Sequence, residues 1–174
     1  MAKKPTSEAT GFDIGQNVVY PAHGVGRITG IEVQTVAGME LEVYVVSFDQ
    51  DKMILRVPTN RAEASGMRAL AGGKLVDDAL KTLTGRARIK RTMWSRRAQE
   101  YEAKINSGNL ISIAEVVRDL HRLEDQPEQS YSERQLYESA LDRMARELAA
   151  VEDIDKDAAM ERLAESLAKK KAAA

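Results

Sequence analysis

Ala71-Gly72-Gly73-Lys74-Leu75-Val76-Asp77-Asp78-Ala79-Leu80-Lys81-Thr82-Leu83-Thr84-Gly85 is where the chain changes its period. Leu75, Val76, Ala79, Leu80 and Leu83 recur at the three- and four-residue steps of one helical face, and Gly85 marks its stop. Upstream the glycines crowd: nine of the 11 lie at or before Gly73. The other two, Gly85 and Gly108, fall where helices should end. A turn-rich strand region gives way here to a helical one, which predicts an α+β chain.

Before the change, apolar residues alternate with period 2. Gly15 to Pro21 reads as a first strand, with Val18 and Tyr20 on one face and Pro21 ending it. Ala22-His23-Gly24 turns the chain. Val25 to Val33 is a long strand whose glycines permit a bulge. After a turn at Val36-Ala37-Gly38-Met39, Leu41 to Phe48 is the strongest strand, with Leu41, Val43 and Val45 set against Glu42, Tyr44 and Val46. Asp49-Gln50-Asp51 turns again, and Lys52 to Val57 returns with Met53, Leu55 and Val57 inward. Four or five short strands in about fifty residues fit a small SH3-like or Tudor-like β-barrel.

After the change, the period stays near 3.6. Trp94 to Asn106 is a second helix, stopped by Ser107-Gly108. Ser112 and Glu115 frame a third as a capping box with Ile111 and Val116 as staple, and it buries Ile113, Val116, Val117, Leu120 and Leu123. Ser132 and Gln135 repeat the box, with Tyr131 and Leu136 as staple, ahead of a stripe of Leu136, Tyr137, Ala140, Leu141, Met144 and Leu148. A last helix follows Asp153-Ile154-Asp155 and carries Met160, Leu163, Ala164 and Leu167. The expected organisation is a disordered tail over 1–10, the barrel over 11–69, a compact bundle of about five helices over 70–168 and a frayed end over 169–174.

Composition narrows the chemistry. With no Cys, a disulfide framework, a thiolate nucleophile and a Cys-bearing zinc site are excluded. His23 and His121 are too few to build a metal cluster, and no phosphate-cradling glycine loop occurs. The carboxylates fall on solvated helix faces. No catalytic residue, metal or cofactor is therefore expected, and a small hydrolase or transferase would lack a nucleophile and a base. Met1 to Ser7 carries no apolar segment, so no secretory leader is expected. No apolar run approaches the roughly 18 residues of a membrane span, so no membrane partner is expected.

The net charge of −1 hides an asymmetry. Residues 71–110 carry nine basic and four acidic side chains, whereas 111–174 carry ten and fifteen. The excess centres on Gly85 to Arg97, where six of thirteen residues are Arg or Lys, and no acid occurs from Ala79 to Gln99. A cationic run tracks a polyanion, and Trp94, the one tryptophan, supplies a wedge or stacking surface for bases. Arg88, Lys90, Arg91, Trp94, Arg96 and Arg97 are the candidate DNA contacts. Against this, a charge run is often only a solvated face. Trp94 is open to two readings as well. Trp94, Ala98, Tyr101 and Ile105 share one helical face, which puts the indole in a core. Its place at the helix start, bracketed by Arg91, Arg96 and Arg97, opposes that, since a deep site would bury those charges.

Four segments carry a resemblance: Gly15-x-x-Val18-Val19-Tyr20-Pro21-x-His23-Gly24, Leu55-Arg56-Val57-Pro58, Trp94-Ser95-Arg96-Arg97, and Ala114-Glu115-Val116-Val117-Arg118-Asp119-Leu120. In this order they resemble the CarD/CdnL family of bacterial transcription regulators over nearly the whole chain. The resemblance implies a Tudor-like domain that docks on the RNA polymerase β subunit and a helical domain that touches promoter DNA at the upstream edge of the bubble. Trp94 matches the family tryptophan that wedges into the minor groove, and Arg96 and Arg97 match the basic residues beside it. Arg56 matches a polymerase contact. A second such arginine falls at Gln34, and a further basic residue of the family falls at Gln99. The polymerase-docking domain also occurs in transcription-repair coupling factor, but no ATPase motif is present here. Neither is the basic, proline-rich tail of the larger CarD proteins, which implies the short CdnL type.

The expected function is that of a non-enzymatic, cytoplasmic, nucleoid-associated regulator. It binds polymerase as a monomer and stabilises the promoter open complex without reading sequence. The alternative is a free-standing, nonspecific architectural DNA-binding protein, for which the seven cations from Ala79 to Gln99, Lys81 included, supply little affinity at cellular salt.

Overall fold

A computed structural model describes residues 12–48, 52–122 and 126–169. The chain divides into two compact units, residues 1–70 and 71–174. The expected tail over 1–10, the turn at Asp49-Gln50-Asp51, Leu123 and the end beyond residue 169 lie outside the described residues.

The first unit is a five-stranded antiparallel sheet: β1 (Asn17–Tyr20), β2 (Gly24–Val36), β3 (Met39–Phe48), β4 (Met53–Pro58) and β5 (Arg68–Ala69), in the order β4-β3-β2-β1-β5. A 3-10 turn spans Thr59–Arg61. The β2–β3 hairpin closes through Ala37 and Gly38, at φ 54° and 79°. Two successive left-handed residues are what a type I′ turn requires, and that turn matches strand twist. β2 shifts register between Ile28 and Gly30, the bulge its glycines suggested. β1 pairs with the first residues of β2 and β4 with the last six of β3. Beyond them, Val33–Val36 and Met39–Glu42 continue as a two-stranded ribbon that exposes Val33, Val36 and Met39.

Two expectations need correction. The sheet does not close into a barrel: β4 and β5 stand at opposite ends of the strand order, and β5 has only two residues to offer. The inward face of β3 is also the other one. Tyr44, Val46 and Phe48 join Val18, Ile28 and Val57 in the core, opposite Val57, Leu55 and Met53 of β4. The cause is that Val43 to Val46 is apolar at every position, so period 2 is silent there and the large rings decide. Tyr44 meets Phe12 edge-on at 5.6 Å. The β4 alternation stands as expected, with Ile54 and Arg56 exposed. Gly26 is the tight spot of this core, since a Cβ there would lie 2.7 Å from Phe48 Cε1 and 2.8 Å from Val46 Cγ1.

Among its described residues, the second unit contains five α-helices: α1 (Gly73–Leu83), α2 (Trp94–Asn106), α3 (Leu110–Leu120), α4 (Tyr131–Glu152) and α5 (Lys156–Ala168). The apolar stripe of α3, Ile113, Val116, Val117 and Leu120, is fully buried, and α3 packs on α1, α2 and α4. Val76, Ala79 and Leu83 of α1, Ala140, Met144 and Leu148 of α4, and Leu163 and Leu167 of α5 complete the core. Two caps lie upstream of the expected ones. Asn109 caps α3, its Oδ1 accepting from the N–H groups of Ile111 and Ser112 at 3.0 and 3.2 Å, so Ser112 sits inside the helix. Ser130 caps α4 by accepting from the Glu133 N–H at 3.3 Å, which leaves Tyr131 exposed rather than stapled. Asn and Ser are as good at this position as the residues they displace, so the longer helix wins. Among the described residues no helix is long and apolar enough to cross a membrane.

Candidate nucleic-acid interface

The cationic stretch occupies the loop between α1 and α2 and the first turn of α2. α1 ends with the Thr84 and Gly85 N–H groups donating to Lys81 and Thr82 carbonyls, both at 3.1 Å. The loop is then tied to α3. The Arg88 N–H donates to Asp119 Oδ1 at 2.9 Å, and the same oxygen accepts from Arg118 Nε at 2.9 Å. Both α3 side chains are buried, which keeps this pair out of water.

Lys90 and Glu100 form an exposed ion pair at 3.4 Å, worth little in water. Arg88, Lys90 and Arg97 come together around a small cleft that Glu100, Tyr101, Lys104 and Asp119 also line. Arg91 and Arg96 stand out in solvent, away from that cleft. The two carboxylates make the cleft floor a poor anion hole, so the cations serve an anion from its rim.

α2 begins without a side-chain cap and without an acid in its first turn, while Arg96 and Arg97 lie there. Cations at a helix N-terminus oppose the dipole at about 0.3–1 kcal/mol each. The same free N–H groups and the two arginines together favour an incoming phosphate. Met93, at the cap position, is 78% exposed.

Trp94 is half-buried and packs against the helical core. The Arg97 guanidinium carbon lies 5.4 Å from the Trp94 ring centroid and 5.8 Å from that of Tyr101. Arg97 also donates to the Tyr101 hydroxyl at 3.4 Å, while among the described residues its buried Nε has no hydrogen-bond partner. The two aromatic rings are 6.3 Å apart. Arg97 is thus a stacked cation backing the indole, unlike the exposed Arg96.

In the sheet unit, Arg56 is half-exposed and pairs with Glu32 at 3.4 Å, across β3. Register puts Arg56 level with Val45 and Gly30, and Gln34 level with Leu41, on the face away from the core cluster. Val43 and Val45 are buried on that face beneath the ion pair. Sequence reasoning missed Glu32, Tyr101, Lys104 and Asp119. Tyr101 carried a signal, seven residues from Trp94 on the same helical face; Glu32 carried none without the strand register.

Among the described residues, no group of three or more His, Asp or Glu side chains is placed to hold a metal. A separate groove of about 490 Å³ lies over α4 and α5, lined by His121, Arg122, Tyr137, Leu141 and Met160 among others. His121 Nδ1 and the Tyr137 hydroxyl share a hydrogen bond of 2.9 Å there, and burial pushes the Tyr137 phenol up from its ordinary value.

Comparison with known families follows the division into two units. Residues 12–71 match the CarD-like/TRCF RID domain, and residues 78–164 match the CarD C-terminal domain. That pairing defines a class of transcription factors and not of enzymes, and the RID domain implies an interaction with RNA polymerase. The chain belongs to the CarD family. It is similar to YdeB of Bacillus subtilis, a candidate transcription factor, at 27% identity over 143 residues, covering 82% of this chain and 94% of that one. The solution structure of the 72-residue N-terminal domain of Myxococcus xanthus CarD matches at 34% identity over 33% of this chain and 77% of its own, with a TM-score of 0.30.

Proposed function

We propose that this protein binds the RNA polymerase β subunit through its sheet unit and stabilises the promoter open complex through its helical unit. The observation that carries the proposal is the start of α2, where a half-buried indole, two arginines and an uncapped, acid-free first turn coincide. Arg88, Lys90, Arg91, Arg96 and Arg97 hold phosphates at the upstream edge of the bubble, which positions the protein without specifying sequence. Trp94 wedges where bases are already unpaired, since unstacking costs least there. A ligand that prefers the open state shifts the population toward it. The protein acts as a monomer in the cytoplasm, at the nucleoid, and needs no cofactor.

The sheet unit supplies the address. Among the described residues no further strand pairs with the β2–β3 ribbon, whose edges suit strand addition by a partner, and Arg56 and Gln34 share one face of the same sheet. Arg56→Glu is expected to weaken association with the polymerase β lobe by roughly tenfold, about 1.4 kcal/mol. It also places two acids side by side at Glu32. Titration of the variant against the purified lobe checks this, and an unchanged affinity removes Arg56 as a contact.

DNA binding without polymerase is expected to be weak and steep in salt. If about three cations meet phosphates, log K falls with log salt at a slope near −3, at about −0.9 per contact. A flat salt dependence at intact affinity would contradict the phosphate contacts. Tight binding in a gel shift without polymerase would favour an architectural protein instead.

A further inference from the structure

We infer that Asp119 is a positioning residue for DNA binding, the pin that holds the cationic loop in its binding shape. The inference rests on the proposed role of that loop at the bubble edge. Asp119 lies on α3, is 3% exposed, and cannot itself meet a phosphate. Its carboxylate would in any case repel one. Yet its Oδ1 accepts from Arg88 N–H, 31 residues earlier in the chain, at 2.9 Å. The bond falls in the middle of the loop, between the end of α1 at Leu83 and the start of α2 at Trp94.

A neutral acceptor would not serve as well. The Arg118 guanidinium sits on the same oxygen at 2.9 Å, and its Cδ lies 3.6 Å from where a Cβ on Gly85 would be. Arg118 holds the Asp119 carboxylate aimed, and a charged acceptor binds a backbone N–H more strongly than a neutral one. The loop is thereby set before DNA arrives, and binding need not spend affinity on ordering it.

Removing Asp119 alone would take an ion-pair partner from the buried Arg118 charge and risk the fold. Arg118→Met with Asp119→Ala removes both charges together, which is often neutral for stability, and deprives the Arg88 N–H of its acceptor. Asp119→Asn is the conservative companion, since it keeps an oxygen at the same place. Two quantities are measured on the full chain. One is amide hydrogen exchange at Arg88 against Val116 and Val117 of α3. The other is affinity for a forked DNA duplex with unpaired bases at the junction.

In the double variant, Arg88 exchange is expected to accelerate while the α3 amides hold. Fork affinity should drop by about two- to tenfold, the fold-change one hydrogen bond commands. Asp119→Asn should recover part of both. Faster Arg88 exchange with unchanged fork affinity would overturn the inference. So would Arg88 exchange that does not change. Equal acceleration at Val116 and Val117 would reduce the pair to a packing role and overturn it too. A control separates the underlying proposal: if Arg91→Gln with Arg96→Gln leaves fork affinity intact, the loop is not the DNA contact. The DNA role of Asp119 then falls with it, even where exchange still shows the pin.

Discussion

Trp94→Ala is expected to shorten the half-life of the promoter open complex by roughly 5- to 150-fold. A base-stacking indole contributes about 1–3 kcal/mol by alanine substitution, and each 1.4 kcal/mol is a decade. The same variant should also melt earlier. The ring is half-buried, packs on the core and carries the Arg97 guanidinium at 5.4 Å. Full burial of an aromatic ring is worth about 3–5 kcal/mol on truncation, so half of that, roughly 2 kcal/mol, is the expected loss. Two assays on one variant separate the contributions. Open-complex half-life is followed well below the melting temperature, at saturating protein, and thermal unfolding is followed on the protein alone. A short half-life with the variant fully folded supports the wedge. A normal half-life with depressed melting would make Trp94 a packing residue and leave the arginines as the DNA contact.

Gly26→Ala is expected to cost the sheet unit about 1–3 kcal/mol, the usual toll of overpacking. The new methyl would lie 2.7 Å from Phe48 Cε1 and 2.8 Å from Val46 Cγ1. Neither neighbour is the loose end of a flexible chain; both are core side chains, 2% and 0% exposed. Gly30→Ala is the matched control, since nothing lies within 4 Å of its added Cβ, and surface changes usually stay within about ±0.5 kcal/mol. Urea unfolding of the two variants, followed by near-ultraviolet circular dichroism of the tyrosines, should show a lower midpoint for Gly26→Ala alone, at unchanged slope. Equal midpoints would mean that Phe48 has room to move.

What the sequence disclosed of the fold follows from where one physical term dominates. Trp94–Asn106 was legible as a helix because Ser107-Gly108 stops it, and Gly108 does adopt φ 73°. The core face of β3 was hidden because valines occupy both faces. The open sheet was hidden because closure turns on a two-residue strand that no periodicity announces. Ser130-x-x-Glu133 fits the capping pattern as well as Ser132-x-x-Gln135 does, and only the completed helix chooses between them.

At the interface, the basic run and its tryptophan were plain, but their partners were not. The absence of acid from Ala79 to Gln99 holds along the chain and fails in space. Glu100 reaches Lys90 from the next helix, and Asp119 reaches Arg88 from the one after. Linear charge counting cannot see such returns, because they depend on how α2 and α3 pack. Arg97 shows the same limit: adjacent to Arg96 in sequence, it lies over two aromatic rings while its neighbour is in solvent.

The spacing of 6.3 Å between Trp94 and Tyr101 has a photophysical consequence. Because the chain has a single tryptophan, all of its indole emission originates at the head of α2. Tyr101 is near enough to pass its excitation to that indole, so light absorbed by the phenol leaves at the tryptophan wavelength. The half-buried ring sits in a mixed environment, and a base stacked on its open side would quench it, while a shift of Arg97 would move its colour. The protein therefore carries an intrinsic lamp at the place where DNA is proposed to arrive.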